Sequence, residues 1–251
     1  MAWELTRDVS PSVTEVDHTG STNADLLAGA ADAAHLTVLL TRDQRSGRGR
    51  LDRQWTAPPG SALAVSVVVQ VPGIPAEARG WVPLIAGSAM CHAVAEQLAG
   101  FEVGLKWPND VLVAEDGELK KIVGVLAEVA ARDTIVIGTG VNTAMERELL
   151  PVATATSFAA LGDVCNEDRL VASFLGALDR LLTALADADG DAAASGVLDE
   201  VSSSCLTLGR EVRVELPGGG ELLGRATHLD SDGRLVVAGT PVAAGDVIHV
   251  R

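Results

Sequence analysis

Residues 42–55 carry the side chains best suited to chemistry on an anion. They hold five of the chain's nineteen lysine and arginine residues, although the protein has a formal net charge of -15. Gly47 and Gly49 alternate with Arg48 and Arg50, so the backbone can bend closely around a ligand while guanidinium groups point at it. The pattern indicates a phosphate or carboxylate site. A solvated surface loop is the alternative that this segment alone leaves open.

Three further patches of polar residues could also contact a polar or anionic ligand. They read Gly-Ser-Thr-Asn at residues 20–23, Lys-Trp-Pro-Asn-Asp at 106–110 and Lys-Lys-Ile-Val-Gly at 120–124. Ser21 is a good N-cap, and a hydroxyl-rich helix start offers hydroxyl and backbone N–H groups to a polar ligand. Lys106 can equally bind phosphate or be solvated, Lys120 is expected to be solvent-exposed, and Trp107-Pro108 is expected to fix a turn by packing.

Composition limits the function classes. With 251 residues, 47% of them hydrophobic, the chain can form one medium domain or a larger and a smaller one. It has neither a signal-peptide pattern nor an apolar run long enough to span a bilayer, so a cytoplasmic protein is expected. Tyrosine is absent and the charge is acidic, which disfavours nucleic-acid binding. Cys91, Cys165 and Cys205 form no Cys-x-x-Cys pair and are predicted to be buried thiols.

Hydrophobic periodicity predicts an α+β protein in which the basic loop joins two strands, at 37–41 and 62–71. Helices are predicted at 22–34, 81–98, 167–186 and 192–203. A short strand at 13–16 and strands at 103–106, 111–114, 120–129 and 134–141 complete the pattern, and the last four indicate an antiparallel meander with helices over one face. A loop mounted between two strands is a common arrangement for ligand binding.

The last forty-odd residues have a different pattern. Short strands are predicted at 210–215, 221–228, 234–238 and 247–250, separated by glycine-rich or Asp-Gly turns. Closely spaced short strands are typical of a small barrel. The predicted domains are therefore residues 1–205 and residues 206–251.

Taken in this order and at these separations, the four polar patches closely resemble the motifs of the biotin protein ligases. The resemblance covers essentially the whole chain from Thr19 onward. It implies a mixed, mainly antiparallel sheet with helices covering one face, of the biotin/lipoate ligase-like type, plus a small C-terminal SH3-like β-barrel. It also implies a two-step reaction, in which biotin and ATP give biotinyl-5′-AMP and the biotinyl group then passes to a lysine of a carboxyl-carrier domain.

The resemblance assigns roles by position. The biotin site would comprise Ser21, Thr22, Asn23, Gln44, Gly47, Arg48, Arg50, Lys121 and Gly124. The nucleotide site would comprise Arg50, Arg53, Trp55, Asn109, Lys121 and Asn142, with Trp55 placed to stack on adenine. Arg48, Arg50 and Lys121 would supply the catalytic positive charge, and Asp110 is a candidate ligand for Mg²⁺.

The resemblance also has departures and partners. Asp52 stands where many relatives carry glycine, which leaves the geometry of loop closure open. About eighteen residues precede the first motif, so a ligase-only form without a DNA-binding domain or a direct repressor role is expected. The expected partner is the biotin carboxyl carrier domain of an acyl-CoA carboxylase, with neither nucleic acid nor membrane, and the expected state is a monomer or weak homodimer.

Three other functions compete with this interpretation. Lipoate and octanoate protein ligases resemble the same fold, but Gly47-Arg48-Gly49-Arg50 and the terminal barrel favour biotin. A non-catalytic sensor of biotin or its adenylate is a second alternative, against which Lys121, Asn109 and Asp110 argue. A nucleic-acid-binding module is the third, and the charge disfavours it.

Overall fold

A computed structural model describes residues 3–51, 53–216 and 219–250 of the chain. Asp52, singled out above, lies outside the described residues. The α-helices are α1 Glu4–Val9, α2 Thr22–Leu27, α3 Trp81–Ala95, α4 Glu167–Asp187 and α5 Val197–Ser204. None of the helices in these ranges is long and apolar enough to cross a membrane.

A seven-stranded sheet forms the larger part of the molecule. In chain order its strands are β1 Val13–Glu15, β2 Val38–Thr41, β5 Leu63–Gln70, β6 Val103–Lys106, β7 Asp110–Glu115, β8 Glu118–Ala131 and β9 Thr134–Val141, and in space they run β1-β2-β5-β9-β8-β7-β6. Only the β1–β2 pairing is parallel. The predicted meander from β6 to β9 is confirmed, and β5 lies inside the sheet as predicted.

Alternation along the strands gives the sheet two different faces. Val65, Val67 and Val69 of β5 belong to the main hydrophobic core, whereas Val68 packs in a small cluster beneath α2. The long helices therefore cover one face, as predicted, and α2 lies on the other. Ser66 lies on that second face too, because it is two residues from Val68.

Two helices build the core layer. α4 is amphipathic and buries Leu170, Phe174, Leu178, Leu181 and Leu185 along one stripe, and the Asn166 side chain accepts from the Arg169 N–H at its start. α3 is buried nearly all round, because it packs between α4, α5 and the sheet. This rigid layer leaves the second sheet face available for a ligand.

The C-terminal strands form a separate five-stranded antiparallel sheet. They are β10 Glu211–Glu215, β11 Glu221–Leu229, β12 Leu235–Val237, β13 Thr240–Val242 and β14 Asp246–His249, in the order β13-β12-β11-β10-β14. Within 219–250 and 206–216 no pairing joins edge strands β13 and β14, so the predicted barrel is present as an open sheet. Strand β13 was predicted as a turn because Gly239-Thr240-Pro241 carries turn residues.

Several predicted boundaries differ from the structure. α1 was not predicted, because its weak pattern is stabilised by a distant partner: the Asp168 carboxylate accepts from the Leu5 and Thr6 N–H groups. α2 ends at Leu27, and the Gly29 N–H bonds three residues back to Leu26, which begins a series of turns. α5 begins only after Gly196, whose positive φ of 78° interrupts the predicted helix.

The helix over 81–98 also ends earlier than predicted, at Ala95. The basic loop contains secondary structure that the sequence pattern does not predict. It contains a two-stranded hairpin of β3 Gly47–Arg48 and β4 Gln54–Trp55, paired antiparallel. The hairpin lies between β2 and β5 in the chain, where the sequence placed the loop.

Candidate active site

The four polar patches meet in one cleft on the second face of the large sheet. α2 brings the Ser-Thr-Asn start, the hairpin brings the arginines, the β6–β7 turn brings Asn109 and Asp110, and β8 brings Lys121 and Gly124. The predicted site residues that line the cleft are Ser21, Thr22, Asn23, Gln44, Arg48, Arg50, Arg53, Trp55, Asn109, Asp110, Lys121 and Gly124.

The start of α2 is anchored by buried polar contacts. Ser21 caps the helix, its side chain accepting from the Ala24 N–H at 3.4 Å. The Gln44 Oε1 atom accepts from both the backbone N–H and the hydroxyl of Thr22, at 2.9 and 3.1 Å. Ser66, fully buried on β5, lies 2.7 Å from Thr22 Oγ1 and 2.5 Å from Asn23 Oδ1, and its single hydroxyl proton serves one of these two contacts at a time. These groups form a fixed set of donors and acceptors at one end of the cleft.

Each hairpin arginine that lines the cleft has a partner on another element. Arg48 pairs with Glu128 of β8 at 3.0 Å, and Arg53 pairs with Asp246 of β14 at 2.5 Å. Arg50 donates to Asn109 Oδ1 at 3.1 Å. Burial lowers the pKa of Arg50 from its usual high value, which the charge of Asp110 partly offsets. The hairpin is thus tied to the α2 side, the β6–β7 turn and the C-terminal sheet.

Lys121 lies at the centre of the cleft. Its Nζ atom is 2.6 Å from Asp110 Oδ1 and 5.6 Å from the centroid of the Trp55 ring. Asn109 lines the same cleft, and its orientation is fixed because its Nδ2 atom donates to the Val125 carbonyl at 2.7 Å. A cation, a carboxylate and an oriented amide therefore line one cleft.

Glycines on β8 and β9 make room for two of these side chains. Gly124 and Gly140 are cross-strand partners. A Cβ added at Gly140 would lie 2.5 Å from Trp55 Cε2, and one at Gly124 would lie 3.2 Å from both Lys121 Nζ and Trp55 Cζ3. The Trp55 ring therefore packs on the glycine backbone, where its predicted stacking on adenine stays a prediction.

Two predicted site residues do not line the cleft. Asn142 is buried, and its Nδ2 atom donates to the Thr156 carbonyl at 2.9 Å, which gives the predicted nucleotide role no support. Gly47 is buried in the hairpin; a Cβ there would lie 2.5 Å from the Trp55 carbonyl and 2.6 Å from Gln44 Nε2, so the glycine makes room for hairpin pairing and for the Gln44 side chain. Trp107 is buried and donates to the Gly233 carbonyl at 3.2 Å, which matches the packing role predicted for it.

The expectation that Lys120 is solvent-exposed was wrong. Its side chain is 14% exposed and its Nζ atom lies 3.2 Å from Glu115. Glu115 is itself buried, and a buried carboxylate needs compensating partners. Burial raises the pKa of Glu115, but hydrogen bonds from Arg147, Lys120 and Thr156 outweigh it and leave that pKa lowered. Lys120 therefore stabilises a buried carboxylate behind the cleft.

Sequence reasoning missed Gly138 and Asp246, which line the cleft, and Glu128 and Ser66, which bond to Asn23 from β8 and β5. Glu128, Ser66 and Asp246 each stand alone on a strand, with no neighbouring motif to mark them. One signal was available: Gly138-Thr139-Gly140 inside a strand indicates close approach of other groups. A Cβ at Gly138 would overlap the Asn23 amide.

The cleft has few protein ligands for a metal ion. Among the described residues no group of three or more His, Cys, Asp or Glu side chains is placed to hold one. Asp110, the predicted Mg²⁺ ligand, is paired with Lys121. Mg²⁺ commonly takes one or two carboxylates and completes its shell with phosphates and water, so here the ion would have to arrive with the triphosphate of ATP.

Comparisons with known proteins agree on one family. Residues 14–142 match the model of the biotin/lipoate A/B protein ligase family, and residues 207–250 match that of the biotin protein ligase C terminal domain. The biotin--[acetyl-CoA-carboxylase] ligase of Mycobacterium tuberculosis is 42% identical over 246 residues, which cover 94% of this chain and 88% of that protein.

Two solved structures extend the comparison. Biotin protein ligase from Aquifex aeolicus, in complex with biotin and ATP, has a TM-score of 0.76 at 23% identity and covers 96% of this chain and 99% of its own. That of Leishmania major, with biotinyl-5-AMP, has a TM-score of 0.61 at 26% identity and covers 96% and 99%. The first likeness shows the fold. Because the family model spans just over half the chain and the mycobacterial relative nearly all of it, this chain belongs to the biotin protein ligases of the biotin/lipoate A/B protein ligase family.

Proposed function

We propose that this protein activates biotin with ATP as biotinyl-5′-AMP and transfers the biotinyl group to a specific lysine of a biotin carboxyl carrier domain. The observation that carries the proposal is the convergence of Arg48, Arg50 and Lys121, from two separate elements, on one cleft. The positive charges lie at one end of this cleft, and the fixed polar groups of Thr22 and Asn23 lie at the other. Such a cleft matches a ligand with a polar ring at one end and a carboxylate at the other.

The first step needs dense positive charge. A carboxylate oxygen of biotin attacks the α-phosphorus of ATP, the bond from that phosphorus to the bridging oxygen breaks, and pyrophosphate leaves. Carboxylate and triphosphate repel each other, so Arg48, Arg50 and Lys121 would offset this repulsion and stabilise charge as it develops. Asn109 orients Arg50 for this task. Holding the two reactants together can supply about 7–11 kcal/mol of the barrier reduction.

The second step needs protection from water. The carrier lysine, as the free amine, attacks the carbonyl carbon of the mixed anhydride; AMP leaves and the amine loses one proton to solvent. The hairpin covers the cleft from the side opposite the sheet, and excluding water there would preserve a hydrolysable intermediate. Arg53 and Trp55, on either side of Gln54 in the hairpin, are placed beside the nucleotide in this proposal.

The remaining assignments are part of the same proposal. The mycobacterial relative's name supports acetyl-CoA carboxylase as the source of the carrier. We assign the protein to the cytoplasm as a monomer or weak homodimer without a nucleic-acid partner, with residues 1–205 as the catalytic domain and 206–251 as the C-terminal domain.

Mass spectrometry of a carrier domain tests the reaction. The carrier is incubated with this protein, biotin and Mg-ATP, and with lipoate or octanoate in parallel. We expect a gain of one biotinyl group at one lysine, only with ATP. Biotin binding without transfer would favour a sensor, and modification by lipoate alone would favour the sister ligases.

A further inference from the structure

A chain of hydrogen-bonded polar side chains starts on the basic loop, crosses one face of the large sheet and returns to the same loop. It runs from Gln44 through Thr22, Ser66 and Asn23 to Glu128, and returns to the loop at Arg48. Every link is between 2.5 and 3.1 Å. Four elements therefore share one network, and the segment 44–48 is held at both ends.

Glu128 is the acceptor on which two links depend. Its Oε2 atom accepts from Asn23 Nδ2 at 2.8 Å and from Arg48 Nη2 at 3.0 Å. The Arg48 side chain is 43% exposed and that of Glu128 is 24% exposed, so water screens this ion pair, whereas the bond from Asn23 to Glu128 is partly buried. No other carboxylate of the described residues is paired with Arg48.

The chemistry of these partners decides which way the Asn23 amide points. A serine hydroxyl can donate or accept, so Ser66 fits either amide orientation, whereas a carboxylate only accepts. Glu128 therefore requires the NH₂ group of Asn23 to face it, which leaves the carbonyl oxygen to Ser66. The Leu126 carbonyl makes the same demand, more weakly, from 3.3 Å.

We propose that Glu128 is a positioning residue for the biotin site, which fixes the orientation of the Asn23 amide and holds the Arg48 guanidinium beside the cleft. This inference rests on the proposed function, since the ligand it serves is biotin. Glu128 acts on that ligand through Asn23 and Arg48. Its removal should thus weaken biotin binding more than ATP use.

Three substitutions at this position separate its two bonds. Glu128→Gln retains an acceptor for Asn23 but loses the charge facing Arg48, and Glu128→Ala loses both. Glu128→Asp keeps the charge on a shorter side chain and should recover part of the binding. Glu200→Gln is the matched control, because it removes a carboxylate that pairs with Arg180 at 2.6 Å on the helical side of the molecule.

Biotin dissociation constants by calorimetry, together with KM values for ATP and melting temperatures, give the readout. Because the pair with Arg48 is exposed and the bond from Asn23 is partly buried, we expect Glu128→Gln to weaken biotin binding about threefold and Glu128→Ala, which loses both bonds, about tenfold. The KM for ATP should stay within about twofold of wild type. The control should bind biotin as wild type does.

A double-mutant cycle tests the link to Asn23. Because the two residues share a network, Asn23→Ala should cost less in the Glu128→Ala background than in wild type. Additive effects, unchanged biotin binding in Glu128→Gln and Glu128→Ala, or losses that simply follow the melting temperature would overturn the inference. If wild type does not bind biotin, the proposed function fails and this inference with it; wild-type binding with unaltered variants overturns this inference alone.

Discussion

Lys121 is the cation best placed to act on both reactants. It projects from a central strand, lies 2.6 Å from Asp110 and shares the space above Gly124 with Trp55. The position of Lys121 is set by strand β8, which is paired on both sides within the sheet. Developing charge on the α-phosphate would therefore meet a preorganised group.

Replacing Lys121 should affect adenylation before transfer. We expect Lys121→Ala to reduce the rate of adenylate formation by about a hundredfold or more, the usual cost of losing one preorganised charge. Transfer from presupplied biotinyl-5′-AMP should fall much less. Single-turnover pyrophosphate release and carrier labelling measure the two steps; equal losses in both would make Lys121 a structural residue. Lys121→Arg, which keeps the charge, serves as the comparison.

Arg50 should slow the release of the biotinyl-5′-AMP intermediate from the cleft. It is half-buried, and its bond to Asn109 joins the hairpin to the β6–β7 turn. Loss of this bond in Arg50→Ala should speed release of bound biotinyl-5′-AMP by about tenfold, given the strength of charged hydrogen bonds. Dissociation of labelled adenylate measures this rate. Arg45→Ala is the matched control, because Arg45 is on the same loop and forms an ion pair with Asp43, two residues away; an identical effect in both variants would contradict the assignment.

At the level of elements, the neighbouring strands β8 and β9 carry glycines where the hairpin packs on them. Gly124 and Gly140 face each other across β8 and β9, and the Trp55 ring occupies the space that their side chains would fill. The hairpin end is thus seated on backbone. This fit depends on the absence of two Cβ atoms.

Adding one of those Cβ atoms should unseat the hairpin. In Gly140→Ala the new atom would lie 2.5 Å from Trp55 Cε2, so the indole must move. Carrier labelling should fall, while the melting temperature changes little because the hairpin is peripheral to the core. In the control Gly176→Ala, on exposed α4 surface with nothing within 4 Å, the change should stabilise the helix by about 1 kcal/mol. Full activity in Gly140→Ala would show that the indole need not rest there.

The sequence was enough to predict the site residues that lie in short motifs, but not those that matter only because of partners distant in the sequence. The arginines, Ser21-Thr22-Asn23 and Lys121 were found because each lies in a short motif. Glu128 and Ser66 were missed because alternation puts single polar residues on any half-buried strand, and only the fold shows which of them meet. The exposure of Lys120 was wrongly predicted for the same reason. Its partner Glu115 lies across a hairpin, and the burial of Glu115 cannot be inferred from the residues next to it in the sequence.

At the scale of the whole molecule, the two sheets are joined behind the cleft by a short chain of hydrogen bonds. The Trp107 N–H donates to Thr207 Oγ1 at 3.0 Å, and that hydroxyl lies 3.2 Å from His249 Nε2. The Thr207 hydroxyl can donate to His249 or accept from it, and the tautomer of His249 decides which. The same strand, β14, carries Asp246, the partner of Arg53. The junction thus links the β6–β7 turn to the strand that holds the hairpin.

The junction should weaken in acid. Burial, with the charges of Lys106 and Arg210, lowers the pKa of His249 to about 4, whereas an unfolded histidine titrates near 6.5. The unfolded chain therefore takes up the proton first, so this contribution to stability is complete above about pH 6.5 and declines as the pH falls towards 4. Because His249 is partly exposed we expect about 1 kcal/mol, or a melting temperature lower by about 2–4 °C.

Melting temperatures of wild type and His249→Gln between pH 7 and 4.5 isolate this effect. Carboxylates with lowered pKa values, such as Glu115 and Asp168, weaken both proteins equally and mainly below this range. Wild type should therefore lose more stability than the variant over the interval, and the control His228→Gln, an exposed histidine of the same sheet, should follow wild type. Parallel curves for wild type and His249→Gln would show that the Thr207–His249 contact does not depend on a neutral imidazole. A steeper fall of the wild-type melting temperature with pH would instead show that the junction between the two sheets is sensitive to acid. Because Asp246 lies on the same strand as His249, we would then expect the Arg53–Asp246 ion pair to weaken as well.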